Sequence, residues 1–262
     1  MAAIVAALAA APPAPATTTV WAVGDGGVPE PYDDDVAARI RQLGIDRFLY
    51  LGDVYESGTW QDYSRNYAPS FGRFRSISSS TPGNHEWPNH ASGYDPYWGL
   101  RAPRSGGHWY SFDLGGWHFV SLNSEQSTAA DSRQIRWLRG DLRRHPGTCT
   151  IAFWHRPRYS ATRGDDRRLD PAWRALDGHS VAVLNGHEHN YQRFRRRRGI
   201  VEFIVGTGGR HQYELHPDSR LQFSRTGVYG ALRLRLTRTR ARFGFVSSGG
   251  TTLDSGTLRC NR

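Results

Sequence analysis

Two histidines separated by one residue, His187 and His189, follow the run Val181-Ala182-Val183-Leu184-Asn185-Gly186. Four apolar residues in succession read as a strand buried on both faces, and the glycine breaks it. In extended backbone, side chains two residues apart project to one side, so both imidazoles would emerge together where the strand ends. Such a pair is a metal-binding element. Alone, a His-x-His on a loop is as readily an ordinary polar turn. Other runs in the chain end in the same way. Residues 18–23 open onto Gly24-Asp25, 48–51 onto Gly52-Asp53, 76–81 onto Gly83-Asn84-His85-Glu86, and 148–154 onto His155-Arg156. One aspartate after a strand is a turn cap. The same pattern at several strand ends is a site, because ligands in α/β sheets gather at the carboxyl ends of the strands.

Asp25, Asp53, Asn84, His155, His187 and His189 together offer hard oxygen and imidazole donors suited to two adjacent divalent or trivalent cations. A carboxylate such as Asp53 can bridge two metals. Mixed oxygen and nitrogen ligation fits Fe, Zn or Mn better than Ca.

The elements that must position these residues alternate between strand and helix. Asp33-Asp34-Asp35 followed by Val36, Ile40 and Leu43 reads as an acidic helix start with an apolar stripe, ended by Gly44. Residues 59–67 read as helical. The aromatic stretch 87–99 is either packing or a wall of the substrate cleft. Residues 108–114 and 117–122 form a hairpin around Gly115-Gly116. Ile135, Leu138 and Leu142 mark a helix ending near His145-Pro146, and Asp170-Pro171 supplies the cap and first-turn proline of another. Residues 201–205 form a further strand, and 228–236, 241–246 and 251–259 alternate as antiparallel strands. Gly206-Thr207-Gly208-Gly209 lacks the Lys-Ser/Thr ending of a phosphate-binding loop. Arg195-Arg196-Arg197-Arg198 before Gly199 reads as an exposed hairpin tip. With no internal repeat and no long linker, residues 18–262 are expected to form one domain.

The 262-residue chain is long enough for a large α/β core and carries a formal charge of +10. All 34 basic residues are arginine, whose planar fork suits phosphate oxygens. The charge favours anionic substrates, and nucleic-acid binding does not follow from it alone. Residues 1–17, with Ala-Ala-Ile-Val-Ala-Ala-Leu-Ala-Ala-Ala before Pro-Pro-Ala-Pro-Ala, read as a secretory signal or a disordered leader. The apolar run is too short to span a membrane, and no later stretch qualifies. The only two cysteines, Cys149 and Cys260, fit an exported protein with one disulfide, with two buried free thiols as the alternative.

The ordered motifs Gly24-Asp25-Gly26-Gly27, Gly52-Asp53-Val54-Tyr55, Gly83-Asn84-His85-Glu86, Trp154-His155 and Gly186-His187-Glu188-His189 resemble those of the calcineurin-like metallophosphoesterases. The purple-acid-phosphatase branch, in its small single-domain form, is the nearest likeness. The match spans residues 20–193, and the Gly206–Gly209 run with the terminal strands is similar to that branch too. The resemblance implies an α/β fold, a four-layer α/β/β/α sandwich with two metals at one rim. Carried over by position, Asp25, Asp53 and His189 would hold one metal, and Asp53, Asn84, His155 and His187 the other. Gly27 stands where most of the superfamily has a histidine ligand, which favours the purple branch. That branch has a tyrosine three residues after the bridging aspartate. Glu56 is at that place here, and Tyr55 comes one position early, so a phenolate ligand and a ferric ion both hang on whether Tyr55 reaches the site.

The implied activity is hydrolysis of phosphate monoesters by a metal-activated hydroxide on a centre of Fe with Zn, Mn or a second Fe. Asp53 and His85 would be catalytic, with His85 over the leaving group, Glu86 orienting its neighbours, and Asn84, His85 and Arg156 contacting a small phosphorylated substrate. Phosphodiester cleavage, of nucleotides, nucleic acid or lipid head groups, is the alternative. A non-catalytic anion-binding protein is the remote one. The leader and the cysteines point to secretion, without stable insertion in a membrane.

Overall fold

The computed structural model describes residues 17–99 and 107–260, so the apolar leader lies outside the described residues up to position 16. In chain order the first strands and helices are β1 (Thr18–Val23), α1 (Tyr32–Leu43), β2 (Arg47–Tyr50), α2 (Trp60–Asp62), β3 (Ser78–Ser80), α3 (Tyr94–Trp98), β4 (Tyr110–Leu114) and β5 (Trp117–Ser121). They are followed by α4 (Arg133–Arg144), β6 (Cys149–Phe153), α5 (Asp170–Leu176), β7 (Ser180–Asn185), β8 (Tyr191–Phe194) and β9 (Val201–Val205). The last are β10 (Leu221–Arg225), β11 (Gly230–Thr237), β12 (Arg240–Ser247) and β13 (Thr252–Arg259).

Two sheets result. One has the order β13-β12-β11-β1-β2-β3, the other β10-β8-β9-β7-β6-β5-β4. β1, β2 and β3 run parallel, as do β5, β6, β7 and β9, so their carboxyl ends meet at one rim. Val20, Leu49, Phe153, Leu184, Leu232 and Phe245 belong to the main core, which also takes in Val36 and Ile40 of α1. Ile135, Leu138 and Leu142 of α4 and Trp173 and Leu176 of α5 cover the outside of the second sheet through Val120, Ala152 and Val183. The layering is α/β/β/α, as expected.

Cys149 and Cys260 are disulfide-bonded, with Cα atoms 5.4 Å apart. The bond joins the start of β6 in one sheet to the residue after β13 in the other. It closes a loop over a separation of 111 residues, a constraint worth about 4–5 kcal/mol in the chain-entropy model.

The sequence reading needs correction in places. Residues 76 and 77 belong to a 3-10 turn, Phe71–Ile77, and only Ser78–Ser80 is strand. That turn buries Phe71 and Phe74, and the Ser78 hydroxyl closes it by donating to the Phe74 carbonyl at 2.8 Å. Asp170 does not cap α5: Leu169 occupies the cap position without a side-chain bond, and the Asp170 carboxylate pairs with Arg158. β10 has no counterpart in the sequence reading, because its residues are half-exposed and mixed in polarity. The 87–99 stretch contains a 3-10 turn, Trp87–Asn89, and α3. Its Tyr94, Tyr97 and Trp98 are buried, and Tyr97 and Trp98 pack on Tyr63 and Tyr67, so packing accounts for these three.

Candidate metal centre

Five strand ends deliver the predicted residues to one place. Asp25 follows β1, Asp53 follows β2, Asn84 follows β3, His155 follows β6, and His187 and His189 follow β7. Asp25, Asp53 and His187 have φ of 61, 62 and 71°, the left-handed region that few non-glycine residues adopt. The strands therefore stop abruptly and turn their next side chain across the rim. The extended geometry expected for His187 and His189 is replaced by tight turns, in which Glu188 N–H donates to Gly186 at 2.9 Å and Asn190 N–H to Glu188 at 2.7 Å. The two imidazoles consequently face different neighbours. Close approach also explains two glycines. A Cβ on Gly83 would lie 2.1 Å from Asp53 Oδ1, and one on Gly186 2.6 Å from Asp25 Oδ2.

Three imidazoles are aimed the same way. His155 Nδ1 donates to the Leu51 carbonyl at 2.8 Å, His189 Nδ1 to the His211 carbonyl at 2.8 Å, and His85 Nδ1 to the Glu56 carbonyl. A carbonyl can only accept, so each Nδ1 carries a proton and each Nε2 is the nitrogen turned to the centre. This outer-shell arrangement is the one that orients metal ligands.

Two donor groups share Asp53. In the first, the Tyr55 hydroxyl lies 2.7 Å from His189 Nε2 and 3.3 Å from both Asp25 Oδ1 and Asp53 Oδ2. In the second, His155 Nε2 lies 3.1 Å from Asp53 Oδ2, 3.2 Å from Asn84 Oδ1 and 3.2 Å from His187 Nδ1. The other oxygens are engaged: Asp53 Oδ1 accepts from His85 N–H at 2.9 Å, and Asp25 Oδ2 from His187 N–H at 2.8 Å. Asp53 Oδ2 is thus the atom common to both groups. Tyr55 reaches the site despite its shift of one position, because it sits on a loop tied to Gly26 rather than on an alternating strand. Glu56 points outward instead and pairs with Arg210, whose guanidinium lies 4.6 Å from the centre of the Tyr55 ring.

The electrostatics reflect crowded lone pairs in a buried place. Burial opposes charge on His155, but Asp53 outweighs it and pushes the imidazole up to about 10. Asp53 is held below the ordinary carboxylate range by His155 and His85, against burial. His187 goes the other way, down to about 2, through burial and then the neighbouring His155 and Arg156. Burial, Asp25 and Asp53 raise Tyr55 above the ordinary phenol. Buried oxygens and imidazole nitrogens packed at about 3 Å are a fitting cradle for cations.

The supporting groups include some the sequence reading did not single out. Glu86 accepts from the amides of Asp53, Val54 and Gly83 at 3.0, 2.9 and 2.9 Å and so staples two loops together. Arg156 is gripped by Glu125 at 2.9 Å, and its Nη1 lies 3.1 Å from His187 Nε2. Tyr213 stacks on His189 with ring centroids 4.0 Å apart. Glu125, Arg210, His211 and Tyr213 were missed. The available signals were a strand end at Ser121 and the residues just after the Gly206–Gly209 run. A cavity of about 290 Å³ lined by Arg156, Arg163, Asp166, His187 and Glu188 opens beside the centre.

Fold and site together define a rim-sited phosphoesterase architecture. The calcineurin-like phosphoesterase family model matches residues 18–191, and the chain belongs to that family. Purple acid phosphatase 21 of Arabidopsis thaliana is 30% identical over 233 residues, covering 76% of this chain and 52% of that protein. The chain thus spans about half the length of this relative. Among solved structures, the purple acid phosphatase PPD1 from yellow lupin (Lupinus luteus) seeds superposes with a TM-score of 0.76 at 18% identity, covering 94% of this chain and 54% of that one. GAP50, described as the anchor in the inner membrane complex of Plasmodium, superposes with a TM-score of 0.76 at 15% identity, covering 94% and 90%. These two likenesses bear on the fold.

Proposed function

We propose that residues 18–262 act as one metallophosphoesterase domain that hydrolyses phosphate monoesters at a dinuclear centre. Asp25, Asp53, Tyr55 and His189 would hold one metal, and Asp53, Asn84, His155 and His187 the other. The observation that carries this reading is the position of Asp53 Oδ2, 3.3 Å from the Tyr55 hydroxyl and 3.1 Å from His155 Nε2, between two otherwise separate donor groups. A phenol among the first group favours ferric iron there, with Fe, Zn or Mn in the second. When bound, such a pair supplies Lewis acidity and lowers the pKa of water.

The chain's own groups do the rest. Asn84 turns Oδ1 to His155 and keeps Nδ2 to donate to a phosphoryl oxygen. His85 presents Nε2, 3.8 Å from Asp53 Oδ2, and acting as the imidazolium would pass the Nε2 proton to the departing oxygen while Nδ1 stays bonded to the Glu56 carbonyl. Arg156 only donates, so at present His187 Nε2 accepts from it and Nδ1 keeps the proton. His187 would hold a metal through Nδ1 with its own proton on Nε2, and Arg156, the donor that now faces Nε2, would then be available to a phosphoryl oxygen. The disulfide suits an oxidising compartment and so supports export. The cavity beside His187, where Arg156 and Arg163 stand among Asp165, Asp166 and Glu188, has room for a second phosphate substituent, which favours diesters as the second reading. Assaying generic mono- and diesters after reconstitution with Fe, Zn or Mn separates the two. Faster monoester turnover supports the proposal, and absence of any hydrolysis refutes it.

A further inference from the structure

The three C-terminal strands carry a second feature, away from the rim. Their register is unbroken from Gly230↔Ser247 to Thr237↔Arg240, and Arg240 pairs in turn with Arg259. One face bears Leu232, Leu234, Leu236, Ala241, Phe243 and Leu258, all buried. The other bears Arg233, Arg235, Arg240, Arg242 and Arg259, of which four are exposed and Arg233 is half-buried. Arg235 lies directly opposite Arg242, and Arg240 directly opposite Arg259. Side chains so placed have Cβ atoms about 5 Å apart, and like charges there are destabilising. Neighbours along a strand on the same face are about 7 Å apart.

Among the described residues none of the five is ion-paired or hydrogen-bonded through its guanidinium, and Arg233 only overlies Trp21 at 5.6 Å. From residue 226 to 260 the one acidic residue is Asp254, which is buried on the other face with Tyr191 and Arg193. Large apolar side chains do not interrupt the grid either. The exposed ones among the described residues are Tyr32, Leu43 and Trp60, none of them on β11, β12 or β13. The face is therefore a sheet of positive charge without aromatic platforms for bases and without apolar anchors for insertion.

We infer that the Arg233–Arg235–Arg240–Arg242–Arg259 face docks the protein on an anionic lipid surface, by adsorption rather than insertion. Repeated charge across one sheet face matches head groups spread in a plane. Single-stranded nucleic acid would call for stacking rings. Each arginine near such a surface is worth about a fivefold gain in partitioning, and salt weakens it.

The test is co-sedimentation of the full chain with phosphatidylcholine vesicles, with and without phosphatidylglycerol, at about 0.15 M salt. The variant Arg235→Glu/Arg240→Glu sets a carboxylate opposite Arg242 and Arg259, so it removes charge while creating two cross-strand pairs. The control Arg195→Glu/Arg196→Glu changes formal charge equally at another exposed turn. Wild type is expected to sediment only with the anionic vesicles. The grid variant should lose at least about 25-fold in binding while melting no lower than wild type, and the control should lose under about threefold. Equal losses in both variants would mean net charge alone is at work and overturn the inference. So would absence of wild-type binding, or tighter binding to a duplex oligonucleotide than to the vesicles.

Discussion

The Tyr55 hydroxyl meets His189 Nε2 at 2.7 Å, and this contact places a phenol in the first donor group. Reconstitution with iron is therefore expected to give a visible phenolate-to-ferric absorption. Tyr55→Phe should abolish the colour while leaving the second group's metal in place. An unchanged spectrum in Tyr55→Phe would remove the tyrosine from the metal.

His85 is fixed through Nδ1 to the Glu56 carbonyl, its ring packs against Tyr55 with centroids 4.4 Å apart, and its Nε2 lies 3.8 Å from Asp53 Oδ2. His85→Ala should lower kcat by about 10²–10⁴-fold, the usual worth of a general acid, with metal content retained. Loss of both metals would instead make it a structural ligand.

Glu86 binds three backbone amides with two oxygens. Glutamine keeps one acceptor and turns an NH₂ toward groups that only donate. Glu86→Gln should cost about 2–3 kcal/mol in denaturant unfolding and reduce metal occupancy. A neutral result would show that the loops hold without the staple.

His118 donates to Asp113 at 2.7 Å and to Asp141 at 2.8 Å through its two nitrogens, so it is an imidazolium. Burial opposes that charge, but the Asp141 and Asp113 bonds outweigh it and raise its pKa. A raised histidine contributes stability that is complete below about pH 6.5 and disappears as pH climbs through its folded value. Melting curves from pH 6 upward should fall more steeply for wild type than for His118→Asn. Parallel curves would contradict this.

The strand ends were legible because fully buried parallel strands are written as unbroken apolar runs, and the residues after them had no other purpose. β1 and the runs leading to Asp53, His155 and His187 are of that kind. Tyr55 was ambiguous because alternation rules apply to strands, and the backbone after Gly52 is a loop. The His187/His189 geometry was misjudged for the same reason: Gly186 begins a chain of tight turns rather than prolonging β7. Glu125 and His211 had only their places after a strand end and after the Gly206–Gly209 run to mark them, because they act through Arg156 and His189, and a sequence does not display such through-partner contacts. β10 escaped because a half-exposed edge strand lacks either periodic signal.

Metal analysis of the reconstituted chain beside Asp53→Asn tests the account most directly, since one oxygen of Asp53 faces both donor groups. Wild type should hold two metal equivalents per chain, and Asp53→Asn one or none, with phosphatase activity falling in step. Two full equivalents and normal turnover in Asp53→Asn, or ester hydrolysis by metal-free wild type, would contradict a shared dinuclear centre.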